Sequence, residues 1–274
     1  METVTLLRYS NTNTYLIEGT DGAVLFDTGW AGTFTAFCAE LGRNGKRLDS
    51  IRYLVISHFH PDHYGIAQEI ADRGPVILIP EEQRNFLHAS DTVFQKEKGL
   101  SFLPVRDEKV KHISLNGSRK VLEPLGIAGE LLHTPGHSDD SISLLLDRGD
   151  LFVGDLNPLY ELELHRGTTI ESSWNRLLDK KPRTVYYGHA KTAVLRTGEE
   201  PEKKDPGGGD TDRTKWYELT ADIMKYIDRG YSLERIARKT GADKAFTEDV
   251  ARMYLTHTDV GVQGILDRIE IRNR

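Results

Sequence analysis

Four residues that can bind a metal crowd into six positions directly after an apolar run. They lie in the segment SHFHPDHYG and are His58, His60, Asp62 and His63. The preceding run YLVIS, residues 53–57, predicts a buried strand, and open α/β folds build their sites at the carboxyl ends of such strands. Imidazole nitrogen and carboxylate oxygen are donors that zinc and related divalent ions prefer. The sequence therefore predicts metal ligands at a sheet edge. The alternatives are a surface loop that is merely rich in histidine, or a strand end with core histidines.

Three further residues of ligand type follow downstream. They are His137 in LLHTPGHSDDS, Asp155 in LFVGDLNP and His189 in TVYYGHA. Each lies near an apolar, strand-like run and next to a glycine, which lets the backbone turn sharply and approach a metal closely. A single histidine after a strand is more often structural, but the ordered set favours one shared site.

The order of these motifs resembles that of the metallo-β-lactamase superfamily. HxHxDH at 58–63 is followed by GH at 136–137, GD at 154–155 and GH at 188–189. The resemblance extends over about residues 3–195, because NTYLIEG and VLFDTG also look like the opening strands of that family. It implies an α/β fold of the four-layer αββα type, with a small helical region after it.

The resemblance also implies a ligand set for two metal ions. His58, His60 and His137 would hold one ion, Asp62, His63 and His189 would hold the second, and Asp155 would bridge them. Asp62 is in addition the candidate catalytic residue. The implied cofactors are two divalent ions, with zinc favoured and iron or manganese as alternatives.

Two such ions, about 3.5 to 4 Å apart, can share a water molecule and lower its pKa toward 7, so that no serine or cysteine nucleophile is required. Together with the resemblance, this chemistry predicts a hydrolase that uses a metal-bridging hydroxide to cleave an ester, a thioester or a lactone. Within the superfamily the chain resembles the glyoxalase II and lactonase side. One alternative is a single-iron persulfide dioxygenase of the same superfamily, although that branch typically uses fewer ligands. A phosphodiesterase or nucleic-acid-processing hydrolase is a further alternative, disfavoured by the net charge of -6.

Four further residues are candidates for supporting the predicted ligands or for contacting the substrate. Asp27 in LFDTG is a candidate hydrogen-bond partner for a metal-binding imidazole, the alternative being a turn residue that caps Gly29 and Trp30. Candidate substrate contacts are Tyr64, Ser138 and Tyr160. A tyrosine beside a ligand is more often part of the packing.

Length and composition bound the remaining possibilities. The 274 residues allow one large domain or one domain plus a small one. Cys38 is the only cysteine, so an intrachain disulfide and a cysteine zinc cluster are excluded, and we expect it to be a small buried residue. No apolar run approaches the length of a membrane span. We therefore expect a cytoplasmic protein with a small-molecule substrate, no nucleic-acid or membrane partner, and possible homodimerisation.

Periodicity divides the chain into three parts. Residues 1–196 form the predicted catalytic domain, with strands at 23–26, 53–57, 76–80, 141–146, 151–153 and 184–187 and helices at 33–41, 65–73, 81–88 and 170–179. Residues 197–213 are polar and rich in proline and glycine, which predicts a linker or exposed loop. Residues 214–274 predict helices, one of them capped by Ser232. This region is predicted to be a cap or dimerisation region; a helix-turn-helix reader of DNA is less favoured because its charges nearly balance.

Overall fold

A computed structural model describes residues 2–96, 101–159, 162, 165–195, 211–229, 231–256, 261–262 and 264–266. The chain divides into two compact units, Met1–Pro201 and Glu202–Arg274. This division falls inside the segment 197–213, for which the sequence predicts a linker. The roles predicted for the linker and for the helical region stay predictions.

The first sheet of the larger unit has six strands in chain order. They are β1 Thr3–Leu7, β2 Thr14–Glu18, β3 Ala23–Phe26, β4 Ile51–Val55, β5 Val76–Pro80 and β6 Val110–Ile113. β1, β2 and β3 pair antiparallel, and β3 to β6 pair parallel. The parallel part brings the carboxyl ends of its strands to one edge of the sheet.

The second sheet has five strands in the order β11-β10-β9-β8-β7. They are β7 Gly129–His133, β8 Ile142–Leu146, β9 Asp150–Phe152, β10 Thr184–Tyr186 and β11 Ala193–Val194. β9 and β10 pair parallel, and the other neighbours pair antiparallel.

Helices cover the outer faces of the two sheets. The α-helices of this unit are α1 Phe34–Arg43, α2 Pro61–Tyr64, α3 Ala67–Ala71, α4 Asp91–Lys96, α5 Ser118–Leu122 and α6 Thr169–Asp179, and a 3-10 helix spans Glu81–Phe86. The predicted helix 81–88 is therefore a 3-10 helix, and the predicted helix 65–73 is a shorter α-helix. The strands predicted at 23–26 and 76–80 have the predicted bounds.

Alternation along the strands builds three apolar layers of core. Leu25 and Leu54 face a core shared with Phe37 of α1, whereas Val24 and Val55 face the second sheet. The outer face of the second sheet packs on α6 through a further core, which consists of Leu145, Leu151, Val153, Leu156, Leu159, Ile170, Trp174, Leu177, Val185, Tyr187 and Ala190. Both faces of the central strands are thus buried, as in sheets covered on both sides. The expected four-layer αββα arrangement is confirmed.

The expectation that Cys38 is buried is wrong. It lies on α1 directly after the buried Phe37, but it is exposed. Adjacent residues of an α-helix are separated by roughly 100° around the axis, so Cys38 turns away from the face that buries Phe37 and Leu41. Its apolar character did not reveal which side of the helix it occupies.

The smaller unit contains the helices α7 Thr211–Asp228, α8 Leu233–Thr240 and α9 Lys244–Thr256. They share a small core around Ile223, Ile236 and Val250. Ser232 is the residue before α8, and its hydroxyl accepts a hydrogen bond from the backbone N–H of Arg235 at 3.4 Å, as the sequence predicts for a helix cap. Among the described helices of the chain, none combines the length and the apolarity that a bilayer-spanning segment requires.

Candidate metal centre

The ends of strands from both sheets deliver the seven predicted ligand residues. The segment from His58 to His63 follows β4 of the first sheet, and His137 lies in the connection between β7 and β8. Asp155 follows β9, and His189 follows β10. Because β9 and β10 are parallel neighbours, Asp155 and His189 leave the second sheet at the same edge.

The first group of donors consists of His58, His60 and His137. Their donor atoms all lie within 4.8 Å of one another, a spacing at which they could hold a metal ion. His137 Nε2 is 3.0 Å from His60 Nδ1. Two of these histidines come from the first sheet and one from the second, so the group exists only because the sheets pack together.

The second group consists of Asp62, His63 and His189 and meets the same 4.8 Å spacing. Asp62 Oδ2 lies 2.9 Å from His189 Nε2. Pro61 starts the short helix α2, whose first turn presents Asp62 and His63 to this group.

Asp155 lies between the two groups. Its Oδ1 is 3.4 Å from His63 Nε2 and 3.5 Å from His189 Nε2. Its Oδ2 is 3.6 Å from His137 Nε2, which belongs to the first group. One carboxylate therefore directs an oxygen to each group, which is the arrangement that a bridging ligand needs.

Asp27 and Ser57 set the tautomers of two imidazoles. Asp27 accepts hydrogen bonds from Ser57 N at 2.7 Å, from Ser57 Oγ at 2.9 Å and from His63 Nδ1 at 2.8 Å. Since the only hydroxyl proton of Ser57 goes to Asp27, Ser57 Oγ accepts from His58 Nδ1, 3.0 Å away. Both imidazoles then carry their proton on Nδ1 and direct Nε2 to the centre. Asp27 thus makes the hydrogen bond to an imidazole that its predicted role requires, and that role in metal binding stays a prediction.

Backbone contacts orient His189 in the same way. Its Nδ1 donates to the carbonyl oxygen of Asn11 at 2.9 Å, which leaves Nε2 for the centre. The amide of Asn13 donates to the carbonyl oxygens of Tyr187 and Ala190 at 3.0 and 3.2 Å. The segment on either side of His189 is thus tied to the connection between β1 and β2.

Two glycines permit the close approach of these segments. A Cβ at Gly188 would lie 2.7 Å from Asp155 Oδ1 and 2.9 Å from His63 Cε1, closer than real Cβ contacts allow. Gly154 has a φ of 57°, in the left-handed region, and a Cβ there would collide with the side chain of Ser57. Two of the three glycines in the sequence pattern, Gly154 and Gly188, therefore have a steric reason at this centre.

The electrostatics of the centre differ between its histidines. Burial lowers the pKa of His58 well below 6.5, and the neighbouring imidazoles of His63 and His60 lower it further. Burial also lowers the pKa of His63, but the carboxylates Asp155, Asp27 and Asp62 outweigh it and hold that pKa well above 6.5. Without a metal ion, this environment therefore favours a neutral His58 and a second proton on His63, beside the one on Nδ1.

The donor set fits divalent metal ions. His58 Nε2 is buried and has no hydrogen-bond partner among the described residues, although a buried polar atom ordinarily has one. The two groups of imidazole and carboxylate donors are joined by a third, overlapping group of His58, His63 and Asp155, and such donors match the preferences of zinc and of other first-row divalent ions. A metal ion would offset the negative charge of the carboxylates at this centre and would give His58 Nε2 a partner.

The predicted substrate contacts lie in three different situations. Tyr64 is 1% exposed, and its hydroxyl donates to Asp91 Oδ1 at 3.0 Å. This side chain packs in the core on the helix side of the first sheet, so we do not retain it as a substrate contact. Ser138 is half-buried, and its hydroxyl lies 2.8 Å from that of Ser141. Tyr160 lies outside the described residues, so its contact with substrate stays a prediction.

Sequence reasoning missed several residues that hold the ligand segments. Ser57, Asn13, Asp140 and Gln83 are all buried, and each makes hydrogen bonds to a ligand residue or to the backbone of a ligand segment. Ser57 and Asp140 lie within the quoted motifs, but nothing in their spacing distinguishes them from ordinary polar neighbours. Their partners are visible only in three dimensions.

The chain is similar in sequence to known proteins. The sequence profile of the Metallo-beta-lactamase superfamily matches residues 7–189. Over 147 residues the chain is 29% identical to a Probable metallo-hydrolase of Methanocaldococcus jannaschii, covering 53% of this chain and 66% of that protein. It is 24% identical over 150 residues to an Atrochrysone carboxyl ACP thioesterase of Aspergillus fumigatus, covering 53% of this chain and 29% of that protein. The matched part is thus less than two thirds of the length of either relative.

Solved structures share the fold at lower identity. An archaeal metallo-beta-lactamase superfamily protein from Sulfolobus tokodaii has a TM-score of 0.55 and 20% identity, over 76% of this chain and 92% of that chain. The protein TTHA1623, solved in a di-iron-bound form, has a TM-score of 0.53 and 22% identity, over 70% of this chain and 94% of that chain.

Proposed function

Because the chain belongs to the metallo-β-lactamase superfamily, we propose that it is a metal-dependent hydrolase that cleaves an ester, a thioester or a lactone. The observation that carries this proposal is the convergence of two three-residue donor groups on opposite sides of one carboxylate, that of Asp155. A structural zinc site binds one ion and needs only one group of donors. The presence of two adjacent donor groups therefore favours a catalytic site.

The proposed ligands follow the two groups. His58, His60 and His137 hold the first ion, Asp62, His63 and His189 hold the second, and Asp155 contributes to both. We propose zinc as the metal because of the mixed imidazole and carboxylate donors, with iron or manganese as alternatives. TTHA1623 supports the two-ion arrangement to the extent that its fold holds two irons.

Bound at this centre, two divalent ions would lower the pKa of a water molecule and polarise the carbonyl oxygen of a substrate. The protein supplies the geometry for that chemistry. Asp27 and Ser57 keep His58 and His63 in the tautomers whose Nε2 atoms face the centre, and Asn11 does the same for His189. Asp62, the candidate catalytic residue, is 2% exposed with its carboxylate against His189.

The acyl substrate class rests on chemistry and on one group of relatives. A hydrolase without a serine or cysteine nucleophile can attack any carbonyl that the centre polarises, and esters, thioesters and lactones share that group. The Aspergillus fumigatus relative is named as a thioesterase, which supports a thioester among the candidates. The proposed partner is a small-molecule substrate.

Metal analysis of the full chain, purified without added metal, tests the proposal when it is followed by a substrate panel. The panel contains thioesters, lactones and phosphodiesters. About two equivalents of zinc per chain, with turnover of an acyl substrate, is the expected result. One equivalent of iron with oxygen consumption on a persulfide would instead indicate the dioxygenase, and turnover of phosphodiesters alone would indicate a nuclease-like hydrolase.

A further inference from the structure

Two buried polar side chains, Asp140 and Gln83, connect the chain segments that carry the first donor group. Asp140 is 2% exposed and Gln83 is 0% exposed. Neither is among the donors of the centre, and the chemistry described above uses neither. Within the part of the chain that the structure describes, both side chains nevertheless form hydrogen bonds with the backbone of these segments.

Asp140 joins the two segments through its carboxylate. Its Oδ2 accepts a hydrogen bond from the backbone N–H of Phe59 at 2.7 Å. Phe59 lies between His58 and His60, and Asp140 follows His137 by three residues. This single contact therefore links the backbone around all three histidines of the group.

Gln83 makes a second connection from a different direction. It lies on the 3-10 helix after β5, and its Nε2 donates to the carbonyl oxygens of Ile56 at 2.9 Å and Asp140 at 3.1 Å. The carbonyl oxygen of Ser57 lies 3.3 Å from the same atom. One amide thus contacts the end of β4 and the segment just before β8, which belong to different sheets.

The position of His137 relative to His58 and His60 depends on how these two sheet edges meet. Apolar burial holds the two sheets together but does not by itself set the direction of a particular contact, because the hydrophobic effect is non-directional. Hydrogen bonds fix both distance and direction. Metal affinity is sensitive to such displacements, since outer partners that orient the ligands commonly change it by 10- to 100-fold.

We infer that Asp140 and Gln83 are positioning residues that set the affinity of the His58, His60 and His137 group for a divalent metal ion. The inference rests on the proposed function, because it assumes that this group binds metal. It predicts that the hydrogen-bonding capacity of the two side chains matters and that the negative charge of Asp140 does not.

Cobalt titration of the metal-depleted full chain tests the role of Asp140. Co²⁺ reports coordination geometry through its visible absorption, independently of any substrate. Asp140→Leu removes the acceptor at similar volume, and we expect it to weaken cobalt binding by roughly 10- to 100-fold and to change the visible bands. Asp140→Asn keeps an oxygen for Phe59 N–H, so we expect near wild-type binding and bands.

Gln83→Met gives a second test at similar volume, which also serves if Asp140→Leu does not fold. The matched control is Gln68→Met. Gln68 is 2% exposed, and its hydrogen bonds go to Asp72 and Arg106, away from the ligand segments. We expect Gln83→Met to weaken cobalt binding, and we expect Gln68→Met to lower thermal stability while leaving cobalt binding unchanged.

Three results would overturn the inference. Equal cobalt affinity and equal spectra for wild type and folded Asp140→Leu and Gln83→Met would exclude a positioning role. An equal loss of cobalt binding in Gln68→Met would indicate general destabilisation instead. Wild-type protein that binds no cobalt would overturn the proposed function as well, which separates that failure from the other two.

Discussion

Asp27 Oδ2 lies 2.8 Å from His63 Nδ1, and both side chains are completely buried. Asp27 has a φ of 63°, a left-handed conformation that aspartate and asparagine tolerate better than most residues. The backbone thus adopts an uncommon conformation at the position from which this carboxylate reaches His63 and Ser57. Asp27 therefore combines an uncommon backbone conformation with hydrogen bonds that orient the imidazole of His63 directly and that of His58 through Ser57.

Asp27→Asn should fold but bind metal more weakly. Asparagine suits the same φ, but its amide nitrogen is a donor and faces groups that already donate to Asp27. We expect metal affinity to fall by roughly 10- to 100-fold, which competition with a chelator measures. Asp49→Asn is the control, because that side chain is exposed. Unchanged affinity in Asp27→Asn would mean that Asp27 does not orient His63.

Asp155→Ala and His60→Ala should each abolish activity and lower metal content while leaving the protein folded. Asp155 is the carboxylate that approaches both donor groups, and His60 is a donor of the first. We expect losses above the roughly 100-fold that is common when an outer partner is removed. Activity, bound metal and thermal unfolding are measured beside Asp147→Ala, an exposed carboxylate. Full activity in Asp155→Ala would count against a shared ligand.

Gly188→Ala should damage the centre although it adds one methyl group. The new Cβ would lie 2.7 Å from Asp155 Oδ1 and 2.9 Å from His63 Cε1, so at least one of these side chains must move. A displacement of about 1 Å can reduce the rate up to roughly 100-fold. We expect a lower kcat in steady-state kinetics with metal in excess.

Gly42→Ala is the matched control for this substitution. A Cβ at Gly42 meets no heavy atom within 4 Å, and Gly42 lies in α1. Alanine should raise the free energy of unfolding there by roughly 0.5 kcal/mol and leave activity unchanged. If Gly188→Ala were as active as Gly42→Ala, the close packing at Gly188 would have no part in catalysis.

Metal binding should strengthen as the pH rises and should release protons. Burial lowers the pKa of His63, but Asp155, Asp27 and Asp62 raise it well above 6.5, so in the metal-free protein a metal ion competes with a proton. Affinity for Zn²⁺ should therefore increase until the pH exceeds this raised pKa. Calorimetric titration in buffers of different ionisation enthalpy counts the protons released. Zinc binding without proton release at about pH 6 would contradict the protonation of His63.

The local sequence pattern predicts an element correctly where one type of residue dominates the segment. The apolar runs of β3 and β5 have the predicted bounds because buried strands of a covered sheet are apolar on both faces. The edge strand β6, with two exposed residues among its four, carries no such run and was not predicted. Ser232 was predicted as a cap because capping depends on residues only a few positions apart.

The sequence does not predict the contacts between distant parts of the chain. Asp140 and Phe59 are 81 positions apart, and no periodicity relates them. Tyr64 adjoins a ligand in sequence, but the turn of α2 directs it into the apolar core and to Asp91. Cys38 is apolar in type, yet it lies on the exposed side of α1. In each case the direction of a side chain depends on its packing partners.

The amino-acid order by itself determined the chemistry that this protein carries: imidazole and carboxylate donors, placed where apolar strands end and where glycine permits a close approach. The tertiary structure decided which donors meet, which nitrogen of each histidine faces the centre, and which buried polar groups hold the segments. The physical reason is that residue type and periodicity are local properties. Hydrogen bonds between two packed sheets depend on how those sheets align, and no single segment encodes that alignment.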